Sequence, residues 1–220
     1  MDRGARRLAF LGALTGLLAL SCVNVPIRRQ AVTVVRYAID PAPDSTRADT
    51  TLDLLLQVNP LQAGAEERGD RMLYSDDAGV MNLYFYNRWV APPEKMIGDA
   101  LFDDLTRWGL FGRGVCRPDA AIIPTHEIQG RVDRLYAANV KGHANATLQV
   151  SVTVLRVDRR TYAREIIYQR SFPVVVERRN RDVGTYVEAS NQAVRRWLDQ
   201  LRPGLEELFR AEARSAASGR

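Results

Sequence analysis

The sequence predicts an α+β fold with two layers, in which two main helices pack on a mostly antiparallel sheet. The strongest evidence for the sheet lies between Ile122 and Val176, where three runs of alternating apolar and polar residues are joined by short links. Such runs are typical of an antiparallel meander. Two other segments, residues 93–108 and residues 183–209, repeat their apolar residues every three to four positions, as amphipathic helices do.

Short segments ahead of the first helix are predicted to be further strands. Residues 31–39 and 51–60 carry apolar residues at alternate positions. A hairpin follows, because the Asp76–Gly79 turn separates two more alternating segments. In the second strand of this hairpin, one face is predicted to hold Met81, Leu83 and Phe85, and the opposite face to hold Asn82, Tyr84 and Tyr86.

The first helix is predicted to follow the Pro92-Pro93 pair and to end at Gly109. Its apolar stripe is expected to pack on the sheet. The solvent-facing side is expected to hold the charged residues Asp99, Asp103, Asp104 and Arg107. In the C-terminal helix, Pro203-Gly204 predicts a kink or a restart, and residues 211–220 are predicted to form a disordered tail.

Length and composition suit a globular body of one domain of moderate size or two small ones. The chain has 220 residues, 46% hydrophobic and 26% charged, with a net charge of +5. The basic segment before Leu8 leads into 13 mostly apolar residues ending at Leu20, too few for a membrane span of about 20 residues. They fit the core of a secretory signal peptide. The arginines are scattered and form no stripe interleaved with aromatic residues, so no nucleic-acid partner is expected.

Cys22 follows this apolar run directly. The tetrapeptide Ala19-Leu20-Ser21-Cys22 resembles a bacterial lipobox, although Ala19 stands where leucine is usual and Leu20 where a small residue is commoner. A disulfide with Cys116 remains formally possible in an exported chain. If Cys22 is instead acylated, it carries covalent diacylglyceryl and N-acyl groups. Val23 replaces the aspartate that commonly retains lipoproteins at the inner membrane, which favours the outer membrane.

No catalytic or metal-binding motif is complete. His126-Glu127 begins like the metalloprotease pattern HExxH, but Gly130 occupies the position of the second histidine. His143 stands alone beside Gly142, and neither a nucleophile elbow nor a Walker loop is present. The sequence therefore predicts a protein that is not an enzyme and needs no cofactor beyond the acyl groups.

Several segments together resemble one family. They are "VVRYAID" with Tyr37, "TLDLLLQVNPL", and "RMLYSDDAGVMNLYFYNRWVAPPEKMIGDALFDDL", in which an aromatic strand runs into Trp89, Pro92 and Pro93. Over residues 31–210 the chain is similar to the ABC-type transport auxiliary lipoproteins, the group that includes the PqiC/YmbA-like lipoproteins. The resemblance implies a signal peptide at 1–21, a lipidated tether at 22–30 and one auxiliary domain at 31–210.

The resemblance also implies partners. Such lipoproteins work in lipid transport with an ABC ATPase, a permease and an MCE-domain protein that bridges the periplasm. The expected role is to dock or cap the MCE-domain protein at the outer membrane, and the resemblance makes a homo-oligomer plausible. On the residues alone, a structural lipoprotein of a secretion or cell-wall machine and an enzyme with an unrecognised site remain alternatives.

Three aromatic residues are candidates for contact with a partner: Tyr84, Tyr86 and Trp89. Tyrosine and tryptophan are enriched in protein interfaces, which supports this role for exposed rings. The alternative is that the helices cover this strand face and the rings belong to the core.

Overall fold

The predicted α+β class is confirmed by the computed structural model, which describes residues 33–218 except 66, 119–121 and 141. Within these residues, nine strands join one sheet and two helices accompany it. In chain order, the elements are β1 (Val35–Tyr37), β2 (Leu56–Val58), β3 (Gln62–Ala63), β4 (Arg71–Ser75), β5 (Met81–Trp89), α1 (Pro93–Trp108), β6 (Val115–Cys116), β7 (His126–Val140), β8 (His143–Val157), β9 (Arg164–Glu177) and α2 (Val183–Ser218).

Strand β7 organises the sheet. One of its edges pairs antiparallel with β8 along the whole strand, and β8 pairs antiparallel with β9, so the predicted meander is confirmed. The other edge of β7 pairs in parallel with three short strands in succession, first β2, then β3, then β4. Because β7 is 15 residues long, it can hold these three segments end to end.

The sheet extends outward from the short strands. β6 pairs in parallel with β2, whereas β5 pairs antiparallel with β4 and carries β1 in parallel on its outer side. The long pairings are thus antiparallel, as predicted. The parallel pairings, which the sequence did not predict, each join at most three residue pairs.

One face of the sheet forms the core with both helices. On β8, alternate residues from Ala144 to Val154 are buried against this layer, while the polar residues between them are partly exposed on the opposite face. This alternation is what the sequence predicts for a strand with one face covered. The partly exposed residues on β8 are Asn145, Thr147, Gln149, Ser151 and Thr153.

Helix α1 has the predicted bounds. Pro92 precedes it, and Gly109 ends it in a left-handed conformation with φ of 72°, which glycine adopts without the steric cost of a Cβ. The prediction that Asp104 faces solvent is wrong, because its side chain is 1% exposed. It lies three residues after Leu101 and four before Trp108, which places it on the buried stripe.

Helix α2 runs without a break from Val183 to Ser218, so a restart at Pro203-Gly204 is wrong. Gly204 permits close packing on β9, because a Cβ at this position would lie 3.0 Å from the Tyr168 hydroxyl. The tail predicted from residue 211 is also helical to Ser218, and Glu212 forms an ion pair there with Arg156. Neither described helix combines the length and the apolar character that crossing a membrane requires.

Candidate functional site

Cys22, the predicted site of acylation, lies outside the described residues, and its lipidation stays a prediction. Cys116 is half-buried in β6. The sequence candidates that the structure does describe are the aromatic residues of β5. Their positions depend on an irregularity in that strand.

The register between β4 and β5 shifts along the strands. Leu73 lies opposite Leu83, but Arg71 lies opposite Arg88, so extra β5 residues are accommodated between Leu83 and Arg88. Such a bulge interrupts the alternation of side chains between the two faces. The predicted strand face shared by Tyr84 and Tyr86 therefore does not exist, because the bulge separates them.

Tyr84 and Trp89 point to the helices. The Trp89 ring is 1% exposed and lies 5.7 Å from the Tyr186 ring of α2, measured between centroids. Tyr84 stacks on Tyr186 at 6.3 Å and lies 4.8 Å from Tyr74. Burial raises the pKa of both Tyr84 and Tyr186, since ionisation would place a charge in this apolar layer. These two candidates are thus part of the core packing.

Tyr86 is exposed together with its neighbour Phe85. Phe85 is 80% exposed and Tyr86 55%, and their ring centroids lie 6.4 Å apart. We call these two residues the bulge pair. Sequence reasoning missed Phe85, because strict alternation placed it with Met81 and Leu83. The only signal was the unbroken aromatic run Tyr84-Phe85-Tyr86, in which one ring must depart from an alternating core face.

Charged residues flank the bulge pair. Asp70 is shared by Arg36 of β1, at 3.1 Å, and Arg88 of β5, at 3.2 Å. These guanidinium groups help to hold the pKa of Asp70 below its ordinary value, against the opposing effect of burial. Arg71, opposite Arg88 in the register, is also exposed. The four side chains together carry a net positive charge.

His126 and Gly130 have structural explanations. Gly130 is required where β7 meets β8, since a Cβ there would lie 2.6 Å from the carbonyl oxygen of Ser151. The His126 ring is buried edge-on against Phe209, at 5.2 Å between centroids, and its Nε2 atom lies 3.6 Å from Glu212. Within the described residues, no three His, Cys, Asp or Glu side chains are placed to hold a metal ion.

Buried charges connect the helices to the loop after β1. Asp104 accepts hydrogen bonds from Arg195 at 2.7 Å and from Arg202 at 2.8 Å, and Arg202 also contacts Asp44. A cavity of about 310 Å³ lies nearby, between this loop and the two helices, with Ile39, Met96 and Leu198 in its wall. Asp44, Asp104, Arg195 and Arg202 are each paired with an opposite charge. These ion pairs hold the helices and the loop together, and none of the four groups is placed to act as a general acid or base.

Comparison with solved structures supports the fold. A crystal structure of a Xanthomonas campestris protein from the DUF330 family superposes with a TM-score of 0.68 at 16% identity, over 82% of this chain and 99% of that one. A second crystal structure, of an uncharacterized protein, gives a TM-score of 0.58 at 11% identity, over 79% of this chain and 99% of that one. At these identities, the likeness shows the fold alone. No curated protein matches the chain significantly.

The sequence profile described as "ABC-type transport auxiliary lipoprotein component" matches residues 37–202. The match begins at Tyr37, the last residue of β1, and ends at Arg202 of α2, so it includes strands β2 to β9, the first helix and the first half of the second. It covers well over half of the sequence. The chain therefore belongs to the family of ABC-type transport auxiliary lipoproteins.

Proposed function

We propose that this protein is a non-catalytic component of an ABC/MCE-type intermembrane lipid transport system, anchored in the outer membrane and facing the periplasm. The observation that carries the proposal is the family match over residues 37–202. Members of a family of transport auxiliaries act beside the ATPase and the permease. The absence of a Walker loop from the sequence is consistent with a role that does not include ATP hydrolysis.

The anchor in this proposal is Cys22, which carries diacylglyceryl and N-acyl groups. One acyl chain binds a membrane only marginally, whereas two or more give stable attachment, at about 0.8 kcal/mol for each buried CH₂. The apolar run that ends at Leu20 supplies the export signal, and Ser21 supplies a small residue at the cleavage point. Val23 after the cysteine supports the outer membrane as the destination.

The proposed partner is the MCE-domain protein, which the auxiliary domain docks or caps. Of the three aromatic candidates, Tyr84 and Trp89 are committed to the core and only Tyr86 is accessible. The docking surface must therefore include other residues of the domain. A homo-oligomer would present this surface several times and raise the overall affinity by multivalency.

The test is affinity purification of the full-length protein from detergent-solubilised membranes, with identification of its partners by mass spectrometry. The expected partners are an MCE-domain protein, a permease and an ABC ATPase. Recovery of peptidoglycan synthases or a secretin without an MCE-domain protein would overturn the proposal in favour of a structural lipoprotein of another envelope machine.

The anchor is tested separately by labelling cells with radioactive palmitate. Wild-type protein should incorporate the label and fractionate with the outer membrane, whereas a Cys22→Ser variant should incorporate none. Absence of label from the wild-type protein would show that the anchor is wrongly assigned, whatever the purification recovers.

A further inference from the structure

The bulge pair is the most exposed apolar feature of the β5 strand. Leu83, two residues earlier, is half-buried opposite Leu73, and Trp89, three residues after Tyr86, is buried. Phe85 in particular has little of its surface covered by the rest of the domain. Exposing the apolar surface of a phenylalanine side chain to water is unfavourable, and Phe85 is 80% exposed. Contact with another molecule or with a membrane that covers this ring would therefore be stabilising.

Two further exposed apolar residues lie on the adjacent strand. Val35, the first residue of β1, is 44% exposed, and Val34, which directly precedes the strand, is 45% exposed. Val35 lies opposite Asn87, and because β1 runs parallel to β5, Val34 lies at the level of Tyr86. The bulge pair and the two valines thus lie along the same edge of the sheet, where β1 is the outermost strand, and the two valine side chains project to opposite sides of that strand.

The exposed residues Val34, Val35, Phe85 and Tyr86 form what we call the patch. The length of the chain between Cys22 and β1 limits how far the patch can lie from the membrane anchor. Only eleven residues separate Cys22 from Val34. Even fully extended, this segment reaches about 40 Å, since each residue spans at most about 3.6 Å. If Cys22 is acylated, the start of β1 cannot move farther than this from the bilayer surface, so the patch is held at high local concentration near lipid.

The charged residues beside the patch also favour contact with a lipid bilayer. Arg36, Arg71 and Arg88 outnumber Asp70 at the base of the patch. Anionic phospholipid headgroups attract such basic residues at about 1 kcal/mol each close to the surface. Tyrosine and arginine beside exposed apolar residues match the composition of protein segments that lie in a membrane interface.

We propose that Phe85 and Tyr86, with Val34 and Val35 beside them, rest in the interfacial region of the bilayer that holds the Cys22 anchor. This inference depends on the proposed acylation of Cys22. The contact fixes the orientation of the domain on the membrane and leaves the opposite edge of the sheet, at β9, free to face the periplasm.

The test uses tryptophan reporters in the acylated full-length protein, reconstituted into vesicles of phosphatidylethanolamine and phosphatidylglycerol that contain brominated lipid. The native Trp89, Trp108 and Trp197 are all buried and give the same background in every variant. Phe85→Trp reports on the patch. Ile166→Trp is the matched control, because Ile166 is 60% exposed on β9.

Phe85→Trp emission should shift to the blue and be quenched, with a depth of about 5–10 Å below the headgroups. Ile166→Trp emission should be quenched by neither shallow nor deep bromines. Equal quenching of the two reporters, or no quenching of Phe85→Trp, overturns the proposal. A blue shift of Phe85→Trp without bromine quenching also overturns it, and would indicate that a second copy or a protein partner covers the patch.

Intact-mass measurement of the same preparation reports acylation independently. If the mass shows no acyl groups, the proposed anchor fails. If the mass shows acyl groups and Phe85→Trp is still not quenched, the anchor is supported and the membrane contact of the patch alone is overturned.

Discussion

Arg202 of α2 donates a hydrogen bond through Nε to Oδ2 of Asp104 on α1, at 2.8 Å, and both side chains are nearly excluded from solvent. Arg195 donates to the other carboxylate oxygen, Oδ1, at 2.7 Å. Since Arg202 also contacts Asp44 and the carbonyl of Thr46, this pair joins both helices to the loop after β1. One buried carboxylate thus links three segments that are distant in sequence.

Asp104→Asn should destabilise the protein by about 3 kcal/mol, because removing one member of a buried charge cluster leaves the others uncompensated. The expected loss of stability lies at the lower end of the range of about 3–5 kcal/mol that is usual for breaking a buried ion pair, because both arginines keep a second partner. Arg195 retains an ion pair with Asp199 at 2.8 Å, and Arg202 retains Asp44. The free energy of unfolding, measured by urea denaturation followed by circular dichroism, checks this prediction.

Asp103→Asn provides a matched control, since this substitution removes the same charge from the exposed side of α1. Asp103→Asn should alter the free energy of unfolding by less than about 0.5 kcal/mol. If both variants lose the same small amount, Asp104 is not buried between the two arginines.

Gly130→Ala should destabilise the protein by about 1–3 kcal/mol, the usual cost of forcing an extra methyl group into a packed interior. The methyl group would lie 2.6 Å from the Ser151 carbonyl oxygen, and the backbone of β8 cannot move aside without disturbing its pairing with β9. The denaturation midpoint in urea gives the measurement.

Gly184→Ala should instead stabilise the protein, by up to about 1 kcal/mol. Gly184 lies in the first turn of α2, with no atom within 4 Å of the position a Cβ would take. Opposite signs for the two glycine substitutions would show that the loss at Gly130 comes from the close contact with β8 and not from replacing a glycine as such. A neutral Gly130→Ala would contradict the tight β7–β8 contact.

The bounds of α1 and the β7–β8–β9 meander could be predicted because their signals are local. The two prolines, the glycine after Trp108 and the alternating residues of β8 act within their own elements. The parallel pairings of β2, β3 and β4 with β7 have no such signal. They join segments about 60 to 70 residues apart, and each rests on at most three residue pairs.

The candidate surface was harder to predict because a bulge changes which residues face outward. If side chains alternate strictly, the face of every residue of β5 follows from the face of one of them. The extra residues between Leu83 and Arg88 interrupt this alternation, so residues after the bulge point to the face opposite to the predicted one. The prediction that Asp104 faces solvent failed for a related reason. Its helical angle overlaps the apolar stripe, and only the arginines of α2, 91 and 98 residues away, make its burial favourable.

Trp89→Ala and Tyr86→Ala should differ sharply in stability. Trp89 is packed on Tyr186 in the core, and deletion of a buried tryptophan side chain typically costs about 3–5 kcal/mol. Tyr86 projects from the bulge, so its truncation should cost less than about 0.5 kcal/mol. Thermal and urea denaturation of both variants check the difference. Similar losses would mean that both rings are core residues.

His126 should make the free energy of unfolding decline as the pH falls below about 6.5, the ordinary pKa of histidine. Burial lowers the pKa of His126, and Arg156 lowers it further, while the nearby Glu212 opposes both effects. The folded state therefore binds a proton at this ring less readily than the unfolded state, in which the ring has its ordinary pKa of about 6.5. Stability is present above this pKa and is lost as the pH falls below it, by at most about 1.4 kcal/mol per pH unit.

His126→Gln should abolish this dependence, so that the free energy of unfolding no longer declines as the pH falls below about 6.5. His143→Gln is the control, because His143 is exposed at the start of β8 and its loss should leave the decline unchanged. The carboxylates of Asp44 and Asp70, whose pKa values are lowered, lose their contribution only as the pH falls below about 3.8, well below the ordinary pKa of histidine. A decline that persists in His126→Gln would show that another group binds the proton on unfolding.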